Sequence, residues 1–164
     1  MSTDLKNLSD FSSLEIPFAH TFRFALLVSK WNDEITDALH RGALDTLYKY
    51  GALKNNIHTF QVPGSFELIS GADLILSYKQ VNVVICLGCV IQGETRHFDF
   101  ICNAVANGLS NVSIKHNKPV IFGVLTTENL EQARERAGGK HGNKGEEAAV
   151  TAIKMAQLQH DLVI

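Results

Sequence analysis

One stretch of the chain, residues 83–100, joins a predicted buried strand to residues that could do chemistry. It begins as a continuous apolar run, Val83 to Ile91, and goes on to Gly93-Glu94-Thr95 and His97. A glycine turn before a helix leaves backbone N–H groups without internal partners, and such groups bind anions. An imidazole gains and loses a proton near neutral pH, so His97 could act as a general acid or base. The stretch therefore predicts an anion site at a helix start, with Thr95 as a cap.

Strands alternate with helices along the rest of the chain. Apolar runs predict strands at 22–29, 57–62, 83–91 and 119–125, with apolar residues at helical spacing between them. This alternation predicts parallel strands, right-handed crossovers and helices on both faces of the sheet, which is a three-layer α/β/α sandwich. In such sheets ligands bind beyond the carboxyl ends of the strands. Four segments should meet there: Ser29-Lys30-Trp31-Asn32, Pro63-Gly64-Ser65-Phe66-Glu67, Val90 to His97, and Thr126-Thr127.

Capping residues predict where several helices begin and end. Asn32 is expected to cap the first helix, and Asn129 with Gln132 is expected to cap a short helix that stops at Gly138-Gly139. Two predicted buried stripes are Phe98, Ile101, Cys102, Val105, Leu109 and Val112 on the helix after the third strand, and Ala148, Ala152, Met155 and Ala156 on the last helix.

Length and composition indicate one soluble globular domain. The chain has 164 residues, 45% of them hydrophobic and 20% charged, and a net charge of −2 that would not attract nucleic acid or an anionic membrane. Three cysteines argue against a disulfide scaffold and favour a reducing compartment. The polar N-terminus lacks the features of a signal peptide, and no run approaches a membrane span. We expect a cytoplasmic protein with a flexible arm at 1–13 and a single domain at 14–164.

These segments resemble the lumazine synthase family, whose members make 6,7-dimethyl-8-ribityllumazine in the penultimate step of riboflavin biosynthesis. The family fold is flavodoxin-like, and the resemblance implies a four-stranded parallel sheet with an extra N-terminal edge strand near Leu14 to Ala19. The match runs from about Phe22 to Leu158 in the same order and spacing. Each of the five matching segments is weak evidence alone, but together they are specific for the family. The segments are S-K-W-N at Ser29 to Asn32, V-P-G-S-F-E at Val62 to Glu67, L-G-C-V-I-Q-G-E-T-R-H-F-D-F at Leu87 to Phe100, F-G-V-L-T at Phe122 to Thr126, and E-R-A-G-G-K-H-G-N-K-G at Glu135 to Gly145.

The resemblance implies a reaction and a role for each matching residue. A ribitylaminouracil condenses with a butanone phosphate, losing phosphate and water, without metal or organic cofactor. His97 and Arg136 would be catalytic, since His97 could move protons and the Arg136 fork suits phosphate oxygens. Trp31 would stack on the pyrimidine, and Glu67 would accept hydrogen bonds from ribityl hydroxyls. The other implied substrate contacts are Asn32, Gly64, Ser65, Phe66, Val90, Ile91, Gly93, Glu94, Thr95, Phe122 and Lys144.

The resemblance also implies an oligomer with shared sites. Phe122, Arg136 and Lys144 would enter each site from the neighbouring subunit, so an isolated monomer should be inactive. The family forms pentamers, and many members assemble these into a sixty-subunit shell. The short turn at Gly138 to Gly145 resembles that of shell-forming relatives, and riboflavin synthase is a further candidate partner.

Two positions depart from the family pattern: Gln92 stands where many relatives have Arg or Lys, and Glu94 stands where small residues are common.

Simpler interpretations exist for the same residues. His97 could be a surface or capping residue, Trp31 could fill the core, and Glu67 could be a first-turn charge favoured by the helix dipole. Cys86 and Cys89 form a C-x-x-C pair, but inside a buried strand they should face opposite sides, which argues against a redox or metal site. The glycine-rich segment at 138–145 lacks the phosphate-loop pattern and predicts a helix–helix turn. Two other functions remain open: a flavin- or lumazine-binding shell protein, and an enzyme that dismutates lumazine to riboflavin.

Overall fold

The structure is a computed structural model of the chain, and it describes residues 7–163. No helix in this range is both long and apolar enough to cross a lipid bilayer. The elements follow in the order β1 (Phe24–Ser29), α1 (Asp33–Lys49), β2 (Ile57–Val62), α2 (Leu68–Tyr78), β3 (Val83–Ile91), α3 (His97–His116), β4 (Val120–Thr127), α4 (Leu130–Glu135), β5 (Ala137–Gly139), β6 (Gly142–Asn143) and α5 (Lys144–Val163).

The first four strands form one parallel sheet in the order β2-β1-β3-β4. The chain starts in the middle of the sheet at β1, adds β2 on one side and then adds β3 on the other. The strand order therefore reverses between β1 and β3, which is the place where sheets of this kind open a crevice for ligands. The predicted four-stranded parallel sheet is confirmed, although β1 begins two residues later and β4 ends two residues later than predicted.

Two apolar layers sandwich the sheet. Alternate side chains of β3 point to opposite faces, so Ile85 and Leu87 join one cluster while Val84 and Cys86 join the other. The first cluster includes the buried faces of α1 and α5, and the second includes those of α2 and α3. The three-layer α/β/α sandwich is thus confirmed, and burial of apolar side chains on both faces is the main force that holds it together.

Three predictions about the C-terminal third are wrong. Met155 is 38% exposed, because the face of α5 that packs on the core passes through Ala149 and Ile153 instead. The short helix α4 ends at Glu135 and does not reach Gly138-Gly139. The segment that follows is not a simple helix–helix turn. Its two strands, β5 and β6, pair antiparallel as a hairpin, because Gly138 and Gly142 adopt left-handed backbone angles, with φ of 114° and 82°.

The N-terminal segment contacts the rest of the chain at several points. Residues 1–6 of the predicted arm lie outside the described residues, and the N–H of Leu8 donates to the carbonyl of His141 at 2.7 Å. Residues 14–19 form no strand within the described chain, and their last member, Ala19, donates its N–H to Tyr50 at 2.8 Å. Mobility of the arm and pairing of Leu14 to Ala19 with a neighbour's sheet stay predictions.

Candidate active site

A cavity of about 640 Å³ opens beyond the carboxyl ends of β1, β2 and β3, at the point where the strand order reverses. Three of the four segments that were predicted to meet at this edge line it, and Thr126-Thr127 does not. The lining residues are Trp31, Asn32, Gly64, Ser65, Phe66, Glu67, Cys89, Val90, Ile91, Gly93, Thr95, His97, Phe98 and Ile101.

Exposed aromatic rings form one wall of the cavity. Trp31 is 72% exposed and Phe66 is 50% exposed, so neither ring fills the core. The loop that carries Trp31 is tied to the next loop of the site by backbone hydrogen bonds from Lys30 to Val62 at 2.8 Å and from Trp31 to Pro63 at 3.0 Å. An indole that is fixed by its backbone and left open on one face can stack on a planar ring.

Asn32 has a different role from the predicted helix cap. Its side chain makes no cap hydrogen bond, and its backbone adopts the left-handed conformation with φ 61° and ψ 50°. In this conformation the amide nitrogen Nδ2 points away from α1 and donates to the carbonyl of Cys89 at 3.0 Å. Asparagine tolerates left-handed angles better than most residues, because its short polar side chain can bond locally. Asn32 therefore links the end of β1 to the end of β3 at the cavity edge.

The β2–α2 loop contributes polar residues to the cavity as well as Phe66. Glu67 is half-buried, and a side-chain carbon at Gly64 would lie only 3.0 Å from its carboxylate oxygen Oε2, so glycine leaves room for that group. Ser65 is buried, and its hydroxyl has no hydrogen-bond partner among the described residues. The Glu67 carboxylate at the cavity edge can accept hydrogen bonds from a ligand that carries hydroxyl groups, whereas the Ser65 hydroxyl is buried against β3 at Gly88.

The loop between β3 and α3 supplies unpaired donors next to His97. In the described chain the N–H groups of Gly93, Glu94 and Thr95 have no acceptor, whereas the N–H of Gln92 donates to Thr127 at 2.8 Å. The Thr95 hydroxyl accepts a long hydrogen bond of 3.4 Å from the His97 N–H. The side chain of Glu94 is exposed and does not line the cavity. This loop can therefore offer backbone donors to an anion while the Glu94 carboxylate stays in solvent.

Besides Glu94, three predicted site residues do not line the cavity of their own chain. Phe122 is exposed on β4 and lines a separate groove of about 410 Å³ between α3 and β4. Arg136 and Lys144 flank the hairpin, where Arg136 donates to the carbonyl of Gln132 at 3.0 Å and Lys144 pairs with the carboxylate of Glu147 at 3.0 Å. Their assignment to a site in the neighbouring subunit stays a prediction.

The two cysteines of the C-x-x-C pair lie on opposite faces of the sheet, as predicted. Cys86 belongs to the core layer under α2 and α3, and Cys89 belongs to the layer under α1 and α5. Burial raises the pKa of the Cys89 thiol to about 12 and also raises the pKa of Cys86. Both thiols are protonated at neutral pH and are poor nucleophiles.

In residues 7–163, no group of three His, Cys, Asp or Glu side chains is placed to hold a metal ion.

Sequence reasoning missed three residues of the cavity wall. Phe98 and Ile101 were predicted as part of a buried stripe, but both are half-buried at the start of α3, where the helix extends past the sheet edge. Their position in the first two turns of a helix that follows a site strand could have identified them. Cys89 reaches the cavity because its carbonyl holds Asn32, which is a tertiary contact without a sequence signal.

Comparisons with known proteins agree with the predicted family. The sequence profile of the 6,7-dimethyl-8-ribityllumazine synthase family matches residues 21–160. A protein of that name from Cytophaga hutchinsonii is 60% identical over 155 residues, which cover 94% of this chain and 97% of that protein. Proteins of the same name from Christiangramia forsetii and Flavobacterium johnsoniae are 50% and 48% identical, over 98% and 100% of this chain and 96% and 86% of theirs. The chain therefore belongs to the 6,7-dimethyl-8-ribityllumazine synthase family and is an enzyme of that family.

Proposed function

We propose that the protein condenses 5-amino-6-(D-ribitylamino)uracil with 3,4-dihydroxy-2-butanone 4-phosphate, releasing 6,7-dimethyl-8-ribityllumazine, phosphate and water in the penultimate step of riboflavin biosynthesis. One observation carries this proposal beyond family membership. A single cavity brings together an open indole, a carboxylate, unpaired backbone donors and an imidazole from three separate segments. This combination suits a planar pyrimidine with a polyhydroxy tail and a second substrate with a phosphate group.

The pyrimidine substrate is bound along the sheet edge. Its ring stacks on Trp31, and its polar edge meets backbone groups of Val90 and Ile91. The ribityl hydroxyls donate to the half-buried Glu67 carboxylate, and backbone groups of Ser65 and Phe66 supply further hydrogen bonds at the same end. Both amino groups of the pyrimidine are then presented to the second substrate with little freedom to rotate, which favours an addition between two molecules.

The phosphate of the second substrate binds at the loop before α3. The N–H groups of Gly93, Glu94 and Thr95 surround it, and Arg136 of a neighbouring subunit adds its planar fork. His97, in the first turn of α3, is then close to the carbonyl and the phosphate ester of this substrate. It moves protons as the imine forms, as the phosphate leaves and as the ring closes. No metal or organic cofactor takes part in this scheme.

We infer the same oligomer that the family resemblance implies. Among the described residues no Lys or Arg lines the cavity, while Arg136 and Lys144 lie elsewhere on the surface, so a shared site supplies the charge that phosphate needs. The exposed groove beside Phe122 offers an apolar contact for a second copy. Pentamers that assemble into a sixty-subunit shell in the cytoplasm, with riboflavin synthase as a further partner, complete the proposal. A light-scattering mass near that of one pentamer would rule out the shell.

The direct test is product formation by the purified protein, followed through lumazine fluorescence after subtraction of the uncatalysed rate. We expect a clear rate for the wild type and a loss on the order of 10²-fold in kcat for His97→Gln, because a general acid–base catalyst is removed. His58→Gln, on the exposed edge of β2, is the matched control and should keep the wild-type rate. A wild-type protein that binds the ribityl compound without turning it over would be a binding protein and not a synthase.

A further inference from the structure

The hairpin β5–β6 sets the distance between the two cationic residues of the proposed phosphate site. Arg136 immediately precedes β5, and Lys144 immediately follows β6. Their backbones are joined across the base of the hairpin, where the N–H of Lys144 donates to the carbonyl of Arg136 at 2.8 Å. A two-stranded ribbon of this length is marginal by itself in water, so other parts of the chain must hold it in place.

Asn143 connects the hairpin to the helical layer. It is a polar residue with only 6% exposure. Its amide nitrogen Nδ2 donates to the carbonyl of Ala38 in α1 at 3.0 Å, and its Oδ1 accepts from the N–H of Gly145 at 2.8 Å. A side-chain carbon at Gly42 would lie 2.6 Å from the Asn143 carboxamide, so glycine at that position makes room for it. Asn143 thereby fixes β6 against α1 and against the start of α5.

Residues 7–9, which we call the strap, cross the other side of the hairpin. The Ser9 hydroxyl accepts from the N–H of Asn143 at 2.9 Å, and the N–H of Leu8 donates to the carbonyl of His141 at 2.7 Å. The Asn7 side chain accepts from the N–H of Ser9 at 2.8 Å, which turns the strap toward the hairpin. Gly142 faces the strap directly, and a side-chain carbon there would lie 2.7 Å from the Ser9 nitrogen.

We propose that the strap and Asn143 are positioning elements that hold Arg136 and Lys144 in the geometry needed to bind the phosphate of the substrate. This inference rests on the proposed function. Phosphate recognition by a planar guanidinium depends on the orientation of its donors as well as on its charge. A small displacement of the hairpin would weaken phosphate binding while the stacking and hydroxyl contacts of the pyrimidine site stay unchanged.

The test is Ser9→Ala in the full-length, assembled protein, which removes the acceptor for Asn143 and leaves every cationic side chain in place. Ser12→Ala is the matched control, because within residues 7–163 the Ser12 hydroxyl bonds to Asp10 in the same turn and not to the hairpin. We expect inorganic phosphate to inhibit about 5-fold more weakly in Ser9→Ala, which is the effect of losing one neutral hydrogen bond. The KM for the butanone phosphate should rise by the same factor, while the KM for the ribitylaminouracil should stay at the wild-type value.

A double-mutant cycle separates positioning from general loosening of the protein. In an Arg136→Ala background, Ser9→Ala should cause a smaller further loss of phosphate affinity than it causes in the wild type, because only Lys144 is left to be displaced. Unchanged phosphate inhibition in Ser9→Ala, an equal rise in both KM values, or a fully additive double mutant would each refute the inference.

Hydrogen exchange tests the strap independently of catalysis. Backbone amides of residues 137–145 should exchange faster in Ser9→Ala than in Ser12→Ala, since the bond that closes the hairpin onto the strap is lost. Equal exchange in the two variants would contradict the inference even in an active enzyme. A wild-type protein without synthase activity would overturn the proposed function alone, and the exchange rates would still decide whether the strap holds the hairpin.

Discussion

At the scale of single residues, Asn32 shows how the site depends on one unusual backbone conformation. Its left-handed angles place the carboxamide against the Cys89 carbonyl, and its own carbonyl accepts from the N–H groups of Ile35 and Thr36 at 3.0 and 3.1 Å. The residue thus begins α1 through its main chain while its side chain joins two strand ends. Non-glycine residues with such angles are uncommon and cluster at functional sites and helix ends.

Two substitutions of Asn32 separate the backbone effect from the hydrogen bond. Asn32→Gly keeps the left-handed angles and loses the bond to Cys89, so we expect its free energy of unfolding to fall by about 1 kcal/mol. Asn32→Ala loses the bond and also strains the backbone, and it should be about 1 kcal/mol less stable than the glycine variant. Urea unfolding at equal protein concentration measures both values. Equal stability of the two variants would show that the backbone angle imposes no restriction here.

At the scale of secondary-structure elements, the Asp73 carboxylate joins α2 and α3, the two helices that cover one face of the sheet. Asp73 on α2 accepts from Lys115 Nζ at 2.6 Å and from His116 Nε2 at 2.8 Å, both at the end of α3. The hydrogen bonds from Lys115 and His116 lower the pKa of the Asp73 carboxyl. The opposite end of α3 borders the cavity, so this junction helps to hold its wall.

The lowered pKa of Asp73 predicts a pH-dependent contribution to stability. Because the carboxylate form is favoured in the folded protein, its contribution is complete above the ordinary aspartate value of 3.8 and is lost as pH falls through the lower folded-state value. Asp73→Asn should therefore be less stable than the wild type at pH 6, and the difference should shrink below pH 3.8. Denaturant unfolding at a series of pH values measures this difference.

Asp161→Asn is a suitable control for this experiment. Asp161 lies in α5 and accepts a hydrogen bond from the neutral amide of Gln157 at 2.6 Å, without a cation among its described partners. Its substitution removes a helix carboxylate without removing an ion pair of the described residues, so we expect a smaller stability difference at pH 6 than for Asp73→Asn. If Asp73→Asn and Asp161→Asn behaved alike, the ion pairs of Asp73 would not contribute to folding.

At the scale of the whole molecule, the proposed shared site makes a strong prediction about mixed assemblies. His97→Ala and Arg136→Ala should each be nearly inactive as a pure protein. When the two variants are co-expressed and assemble at random, about a quarter of the sites should combine an intact His97 with a neighbour's intact Arg136. Co-assembled protein should therefore recover about a quarter of the wild-type activity.

Activity and light scattering together decide the outcome of the mixing experiment. Light scattering and affinity capture of one tagged variant confirm that both chains are present in each assembly. Mixed assemblies no more active than either pure variant would place His97 and Arg136 in the same site of one subunit, or Arg136 outside the site. Mixing the two variants after separate assembly is the control, and it should restore no activity unless subunits exchange.

The sequence alone determined the fold class and most of the cavity wall. Apolar runs, helical spacing and the Asn129 cap, which accepts from the Gln132 N–H at 2.9 Å, depend on residues close together in the chain. The parallel topology then follows from the alternation of elements, and it directs Trp31, Glu67 and His97 to one sheet edge. The prediction that Cys86 and Cys89 face opposite sides of the sheet likewise needs only the two-residue period of side chains along a strand.

Only the tertiary structure decided the contacts between residues far apart in the chain. The bond from Asn32 to Cys89 spans 57 positions, and the bond from Asn143 to Ser9 spans 134. No local pattern distinguishes Asn32 as a helix cap from Asn32 as a link between strands, because both use the same side chain in the same loop. The same limit explains why the hairpin was predicted as a turn: it is stabilised by residues 7–9 and by α1, which lie near it only in the folded chain.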